Sequence, residues 1–144
     1  MTEPRYLTKT FAVSPQITPQ DLEGLRDLGF ETIVCNRPDS EVPQELGAEA
    51  MEAACQKLGL NFVLNPLSHG SLSKEHIDIQ RDAATSKGPV LAYCASGNRS
   101  SILWGLAMAG EYPTEDILSR TSKAGYNLEG MVPYLESLAG KATG

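Results

Sequence analysis

Histidine and cysteine are scarce in this chain, with two and three residues among 144. Three cysteines, Cys35, Cys55 and Cys94, make no disulfide framework, and their count and spacing point to a reducing, cytoplasmic compartment. No histidine, cysteine and carboxylate fall at metal-ligand spacing, so neither a metal nor an organic cofactor is implied. Long apolar runs are missing too. None approaches the length that spans a bilayer, and Met1 to Phe11 lacks the apolar core of a secretory signal. Positive charge is in deficit, with 12 Lys and Arg against 18 Asp and Glu and a formal net charge of −6, which argues against a nucleic-acid partner. No repeat, low-complexity tract or linker divides residues 1–144, and that length suits one domain burying roughly two-thirds of its unfolded surface.

What the chain does have is an alternation of β-favouring and helix-favouring segments. Thr10 to Val13 reads as a first strand. Ile17-Thr18-Pro19-Gln20-Asp21-Leu22 reads as a helix start, with Thr18 as N-cap, Pro19 at the first helical position and Ile17 stapled onto Leu22. Gly29 closes that helix as a left-handed cap. Glu31 to Asn36 is a strand built on Thr32-Ile33-Val34, followed by a turn at Arg37–Ser40. Helical spacing over Leu46 to Leu58 is closed by Gly59, and Leu60 to Leu64 is the next strand. After a loop at Asn65–Leu72, Ser73 caps a helix to about Ser86. Pro89 to Cys94 is a strand and Ile102 to Ala109 a helix apolar on nearly every side. Thr114 caps Glu115 to Ala124, and a last helix covers about Leu128 to Leu138. The alternation predicts an α/β fold with a mainly parallel central sheet flanked by helices, and ligands in such sheets bind beyond the carboxyl ends of the strands.

Cys94 falls at that edge, and Cys94-Ala95-Ser96-Gly97-Asn98-Arg99-Ser100 forms the loop between a buried strand and an apolar helix. Loop N–H groups and a helix N-terminus stabilise a thiolate and also make an anion site. Arg99 adds a planar fork of donors suited to an oxyanion, and Gly97 supplies the positive φ that a tight anion-cradling loop requires. A buried, inert strand-end cysteine would leave the Gly97 and Arg99 spacing without an explanation. Cys94 is therefore the candidate nucleophile and Arg99 the candidate anion ligand.

Two thiolate chemistries use such a loop: phosphoester hydrolysis through a phosphocysteine, and sulfur transfer through a cysteine persulfide. Four residues, Ala95 to Asn98, separate Cys94 from Arg99, whereas cysteine phosphatases carry five. A shorter loop encloses less of a tetrahedral phosphate and suits a single terminal sulfur. The six-residue loop resembles that of single-domain rhodaneses. An alkoxide leaving group needs a proton donor, yet Asn65-Pro66-Leu67-Ser68-His69-Gly70-Ser71 holds no carboxylate. Sulfite needs none.

Most of the chain, about Tyr6 to Leu138, resembles the phosphatase-like domain of the β-lactamase-hydrolase-like proteins, also described as a small sulfur-transferase family. The resemblance rests on Gln16-Ile17-Thr18 with Asp21-Leu22, on Gly29-Phe30-Glu31-Thr32-Ile33-Val34-Cys35-Asn36-Arg37-Pro38-Asp39-Ser40-Glu41, on Gly88 to Cys94, on the Gly97–Ser100 loop with Trp104, and on Ala124-Gly125-Tyr126. It implies a fold like the dual-specificity (cysteine) phosphatases, with Cys94 as nucleophile and Arg99 as anion ligand. It also implies a metallo-β-lactamase-fold persulfide dioxygenase as partner and a role in sulfide oxidation. Ala95 stands where relatives carry a bulky basic residue, which implies a less positive loop.

Secondary candidates keep two readings each. Arg37 could hold an anionic substrate and Asp39 could orient Arg99, or the two could form a local turn pair. His69 is an acid, base or substrate contact, or a solvated loop residue. Ser96 and Asn98 line the pocket, while Ser100 either donates to the Cys94 thiolate or caps the helix. Cys35 resolves an oxidised or persulfidated Cys94, or simply packs. The leading expectation is a sulfur transferase that takes a small anionic sulfur substrate and forms a Cys94 persulfide. The alternative is a cysteine-dependent tyrosine or dual-specificity-type phosphatase acting on a small phosphate substrate, and the third a non-catalytic anion-binding module.

Overall fold

The computed structural model describes residues 3–143. Four parallel strands and one antiparallel edge strand form the sheet in the order β1-β2-β5-β3-β4, where β1 is Arg5–Tyr6, β2 Phe11–Ser14, β3 Thr32–Cys35, β4 Asn61–Leu64 and β5 Val90–Tyr93. β5 lies at the centre, and period-2 alternation sends its side chains to opposite faces. Val90 and Ala92 join one apolar cluster, Leu91 and Tyr93 the other. Burial on both faces explains why this strand reads as an unbroken apolar run.

Helices cover both faces. α1 (Asp21–Asp27) and α2 (Ala48–Leu58) bury Leu22, Leu25, Met51 and Cys55 against one face. On the other lie α3 (Lys74–Ala84), α4 (Asn98–Ala107), α5 (Thr114–Lys123) and α6 (Val132–Thr143), contributing Ile77, Leu103, Trp104, Ile117 and Leu135. The expected α/β architecture is present, with the helices divided between the two faces as parallel crossovers require.

Register positions the site. Tyr93 pairs with Ser14 on one side and Cys35 on the other, and Cys35 pairs with Leu64. All four parallel strands therefore end level, and the segments after them, which carry Gln16, Arg37 to Glu41, Leu67 to His69 and Cys94, meet at one edge. A buried amide network locks that edge. Asn36 Nδ2 donates to the Asn65 carbonyl (2.9 Å) and to Gln80 Oε1 (2.9 Å), Gln80 Nε2 donates back to Asn36 Oδ1 (3.0 Å), and Asn65 Nδ2 donates to Gln80 Oε1 (2.9 Å) and the His76 carbonyl (2.9 Å). Asn36 and Gln80 are wholly buried and Asn65 nearly so.

Several element boundaries differ from expectation. The two-residue β1, exposed and without alternation, gives no sequence signal. Helix α1 starts at Asp21, not Pro19, because Asp21 Oδ2 accepts the Thr18 N–H (2.9 Å) and the Asp21 N–H returns to the Thr18 carbonyl (3.0 Å). Thr18 is thus held by its backbone and is not the cap, although Ile17 and Leu22 are both buried in one cluster as a staple requires. Residues 44–46 form a separate 3-10 turn, and α2 begins at Ala48 with its N–H on Asp39 Oδ1 (2.8 Å). Ser73 caps α3 as expected, in a reciprocal box with His76, and the helix stops at Ala84. Thr114 is the first residue of α5 and not its cap, since Pro113 takes the extended position before it. A 3-10 turn at 129–131 delays α6 to Val132, and that helix continues past Leu138.

Gln80→Ala strands the polar atoms of Asn36 and Asn65 in the interior, and unsatisfied buried groups cost about 1–3 kcal/mol each. Urea unfolding of this variant is expected to show a loss of roughly 2–4 kcal/mol with an unchanged m-value.

Candidate active site

β5 delivers Cys94 to the level end of the sheet, where it is wholly buried at the floor of the loop. Gly97 adopts φ +97°, a conformation that carries the chain straight into α4 at Asn98. Its N–H donates to Cys94 Sγ at 3.1 Å. Cys94 Sγ thus accepts a backbone N–H at the start of the ten-residue α4.

Arg99, in the first turn of α4, is 8% exposed and fully engaged on one edge. Its two terminal nitrogens donate to both Glu41 oxygens (2.8 and 2.7 Å), and one of them also reaches the Leu67 carbonyl (2.9 Å). Arg37 holds Glu41 from the other side, through Nε to Oε1 (3.2 Å) and a terminal nitrogen to the Glu41 carbonyl (3.2 Å), and it also donates to Gln16 Oε1 (3.2 Å). Hydrogen bonding to Arg99 is the main reason that the Glu41 carboxyl is pulled from 4.5 down to about 2, with Arg37 adding to it. Glu41 is therefore an ionised clamp and no proton donor at neutral pH.

The other sequence candidates divide. Ala95, Ser96 and Asn98 lie exposed on the loop, where Ser96 Oγ accepts the Asn98 N–H (3.2 Å). That leaves Ser100, whose hydroxyl is buried and has no hydrogen-bond partner among the described residues. Neither the expected thiolate contact nor the capping bond is made by it. Asp39 does not orient Arg99. The turn at Asp39–Glu41 aims Asp39 at the start of α2 and brings Glu41, two residues on, to both arginines. Arg37 joins the site through Glu41 and not through a local pair with Asp39. His69 is exposed and lines a cavity of about 170 Å³ together with Arg99, Leu67, Ile102 and Met131. Cys35 packs, its thiol donating to the Arg37 carbonyl (3.3 Å) and pushed up by burial, as a strand cysteine would. Among the described residues no group of three or more His, Cys, Asp and Glu could hold a metal, and no helix is long and apolar enough to cross a membrane.

Two participants were invisible to the sequence reading as site residues. Glu41 carried only the i, i+4 spacing from Arg37 as a signal. Tyr126, whose hydroxyl donates to the Ser96 carbonyl (2.8 Å), lies 30 residues away; like Glu41 it falls in a stretch that carries the family resemblance, but nothing local marks it as a site residue.

A central parallel sheet, a cysteine at the end of its middle strand and an arginine in the following helical turn define a cysteine-phosphatase-like α/β protein. The solved structures agree on the fold. A Neisseria meningitidis protein, provisionally described as a phosphatase, superposes with a TM-score of 0.78 at 33% identity over 92% of this chain and 96% of its own. PTPMT1 reaches 0.78 at 10% identity, covering 98% and 96%, and Pseudomonas aeruginosa TpbA, solved in complex with pTyr, 0.64 at 16%, covering 94% and 87%. Residues 3–111 match the family "Beta-lactamase hydrolase-like protein, phosphatase-like domain", and the chain belongs to it. A β-lactamase hydrolase-like protein of Xylella fastidiosa is 29% identical over 136 residues, 92% of this chain but 32% of the relative, so the chain spans about a third of that protein's length.

Glu41 contributes stability through a depressed carboxyl, which is present above 4.5 and lost as pH falls through about 2. Glu41→Gln is accordingly expected to be less stable than the parent at pH 7, with the gap in melting temperature closing between pH 4.5 and 2 in paired thermal scans.

Proposed function

We propose that this chain is a cysteine-dependent hydrolase of small phosphate monoesters. The observation that carries the reading is the Gly97 N–H on Cys94 Sγ at 3.1 Å, beside the clamped guanidinium of Arg99, within a cysteine-phosphatase-like fold. In this reading the Cys94 thiolate attacks phosphorus and the phosphorus–oxygen bond to the leaving group breaks. Water then hydrolyses the phosphocysteine, releasing phosphate and returning the thiolate. The edge of Arg99 not held by Glu41, together with the Ala95 and Ser96 N–H groups, holds the equatorial oxygens. His69 is the one titratable side chain on the loop 65–72 and takes the part of proton donor to the leaving oxygen.

Two observations keep sulfur transfer as the second reading. The loop places four residues between Cys94 and Arg99, and the carboxylate nearest to Arg99, Glu41, is held ionised. In that chemistry Cys94 attacks the sulfane sulfur of thiosulfate, the sulfur–sulfur bond breaks, and sulfite leaves without a proton. The persulfide then passes its outer sulfur to a thiol. A persulfide dioxygenase as partner belongs to this reading alone.

One experiment separates them. Hydrolysis of p-nitrophenyl phosphate that is blocked by orthovanadate and absent in Cys94→Ser supports the phosphatase. A gain of one sulfur on Cys94 after incubation with thiosulfate, removed by cyanide and seen by peptide mass mapping, moves the assignment to sulfur transfer. Neither result would leave an inert anion-binding module. Arg99→Lys loses the planar two-edged fork, so whichever turnover exists is expected to fall by about a hundredfold or more in kcat/KM with the melting curve still cooperative.

A further inference from the structure

Loop N–H groups serve an anion only if they stay turned inward, and a loop of small residues does not enforce that by itself. Three consecutive carbonyls of this loop are instead taken by donors from outside it. The Ala95 carbonyl accepts the Gln16 N–H (3.3 Å), the Ser96 carbonyl accepts Tyr126 Oη (2.8 Å), and the Gly97 carbonyl accepts Ser101 Oγ (2.8 Å). The middle one matters most. The Ser96 carbonyl and the Gly97 N–H belong to one planar trans peptide, in which the two groups point in opposite directions. That same N–H donates to Cys94 Sγ at 3.1 Å. The Tyr126 hydroxyl and the Cys94 sulfur thus sit at the two ends of a single peptide group.

Tyr126 is itself fixed from behind. Gly125 adopts φ +99° at the end of α5, which turns the next residue back toward the loop, and the Tyr126 N–H closes on the Thr121 carbonyl (2.9 Å). Arg5 of β1 stacks over the ring at 5.3 Å and donates to Tyr126 Oη (3.2 Å). The ring and hydroxyl fill the space a side chain on Gly97 would need, so Gly97 is required by packing as well as by its backbone angle. Burial pushes the Tyr126 phenol up from 10, which keeps it a protonated donor at neutral pH. The order Arg5, Tyr126 hydroxyl, Ser96–Gly97 peptide, Cys94 sulfur is a continuous donor chain with a cation at its head, and such chains polarise toward the acceptor.

We propose that Tyr126, backed by Arg5, is the positioning residue that holds the Ser96–Gly97 peptide with its N–H on the Cys94 sulfur. The inference rests on the reading of Cys94 as nucleophile, but its consequence for the sulfur can be measured without any turnover. Tyr126→Phe keeps the ring over Gly97 and removes a single donor. Thiolate absorbance near 240 nm, taken as the difference between each protein and its Cys94→Ser counterpart across pH, reads the thiolate-to-thiol balance of Cys94 alone. Tyr126→Phe is expected to lower that ratio about fivefold, the net worth of one hydrogen bond. Arg5→Met lowers it less. Because Arg5 acts through the hydroxyl, the double variant is expected to match Tyr126→Phe alone.

A merely structural tyrosine would lower the melting temperature and leave the ratio unchanged, and that result in a folded Tyr126→Phe would overturn the proposal. Full additivity of the two substitutions would overturn the part assigned to Arg5. Should Tyr126→Phe fail to fold, Arg5→Met carries the test, and an unchanged ratio in it removes the chain. A parent protein that turns over neither aryl phosphate nor thiosulfate ends the enzymatic reading, while the absorbance still judges Tyr126.

Discussion

The bidentate pair between Arg99 and Glu41 is the contact on which the carboxyl edge of the sheet is organised. Arg99 is almost wholly buried, and a buried guanidinium without a partner would cost several kcal/mol. Glu41 answers it across 58 residues of sequence, and the Leu67 carbonyl takes a third N–H across 32. One side chain of α4 thereby ties down the turn after β3 and the loop after β4. Of the five N–H groups of an arginine, three are committed on this edge. What is left is the edge that includes Nε, and under the proposed reading the clamp thereby decides which face of the guanidinium an anion would meet.

The same edge is fixed from beneath by polar groups that have no exit to water. Asn36, Asn65 and Gln80 join the ends of β3 and β4 to α3, and their amides satisfy one another almost completely. A network of this kind is stable only in one arrangement, because any slippage leaves a buried donor or acceptor unpaired. Level strand ends, a locked amide cluster and an ion-paired arginine together remove the freedom that an anion would otherwise have to freeze out on binding. Under the proposed reading, that preorganisation is the contribution of the fold to the chemistry.

The parts of this arrangement that were legible in the sequence are those encoded locally. The strand into Cys94 is apolar because both of its faces are covered, the Cys94-to-Arg99 spacing is contiguous, and Ser73 meets its capping partner three residues on. The invisible parts depend on distance. Nothing near Glu41 announces Arg99, and nothing near Tyr126 announces Ser96. By its place in the turn Asp39 reads as a partner for Arg99, yet a 3-10 turn of three residues rotates it toward α2 and presents Glu41 in its place. Boundary shifts have the same origin. Thr18 and Thr114 look like caps by type, but Asp21 serves its own helix through the Thr18 N–H, and Pro113 already holds the extended position that a cap would occupy.

Proton supply is what finally divides the two chemistries at this loop. The carboxylate that clamps Arg99 is bound to both Arg99 and Arg37 and cannot be spared as an acid. The loop that would carry a general acid offers His69 at the rim of the cavity it shares with Arg99. Under the proposed reading, an alkyl phosphate, whose alkoxide departs only with a proton, would depend on that imidazole to supply it. An aryl phosphate depends on it much less, since a phenolate is a far better leaving group, and sulfite depends on it not at all. Under the proposed reading, such a site would favour substrates that break without help from an acid, which for phosphoester hydrolysis means aryl esters, and the same loop would be compatible with phosphorus or with sulfur as the atom attacked.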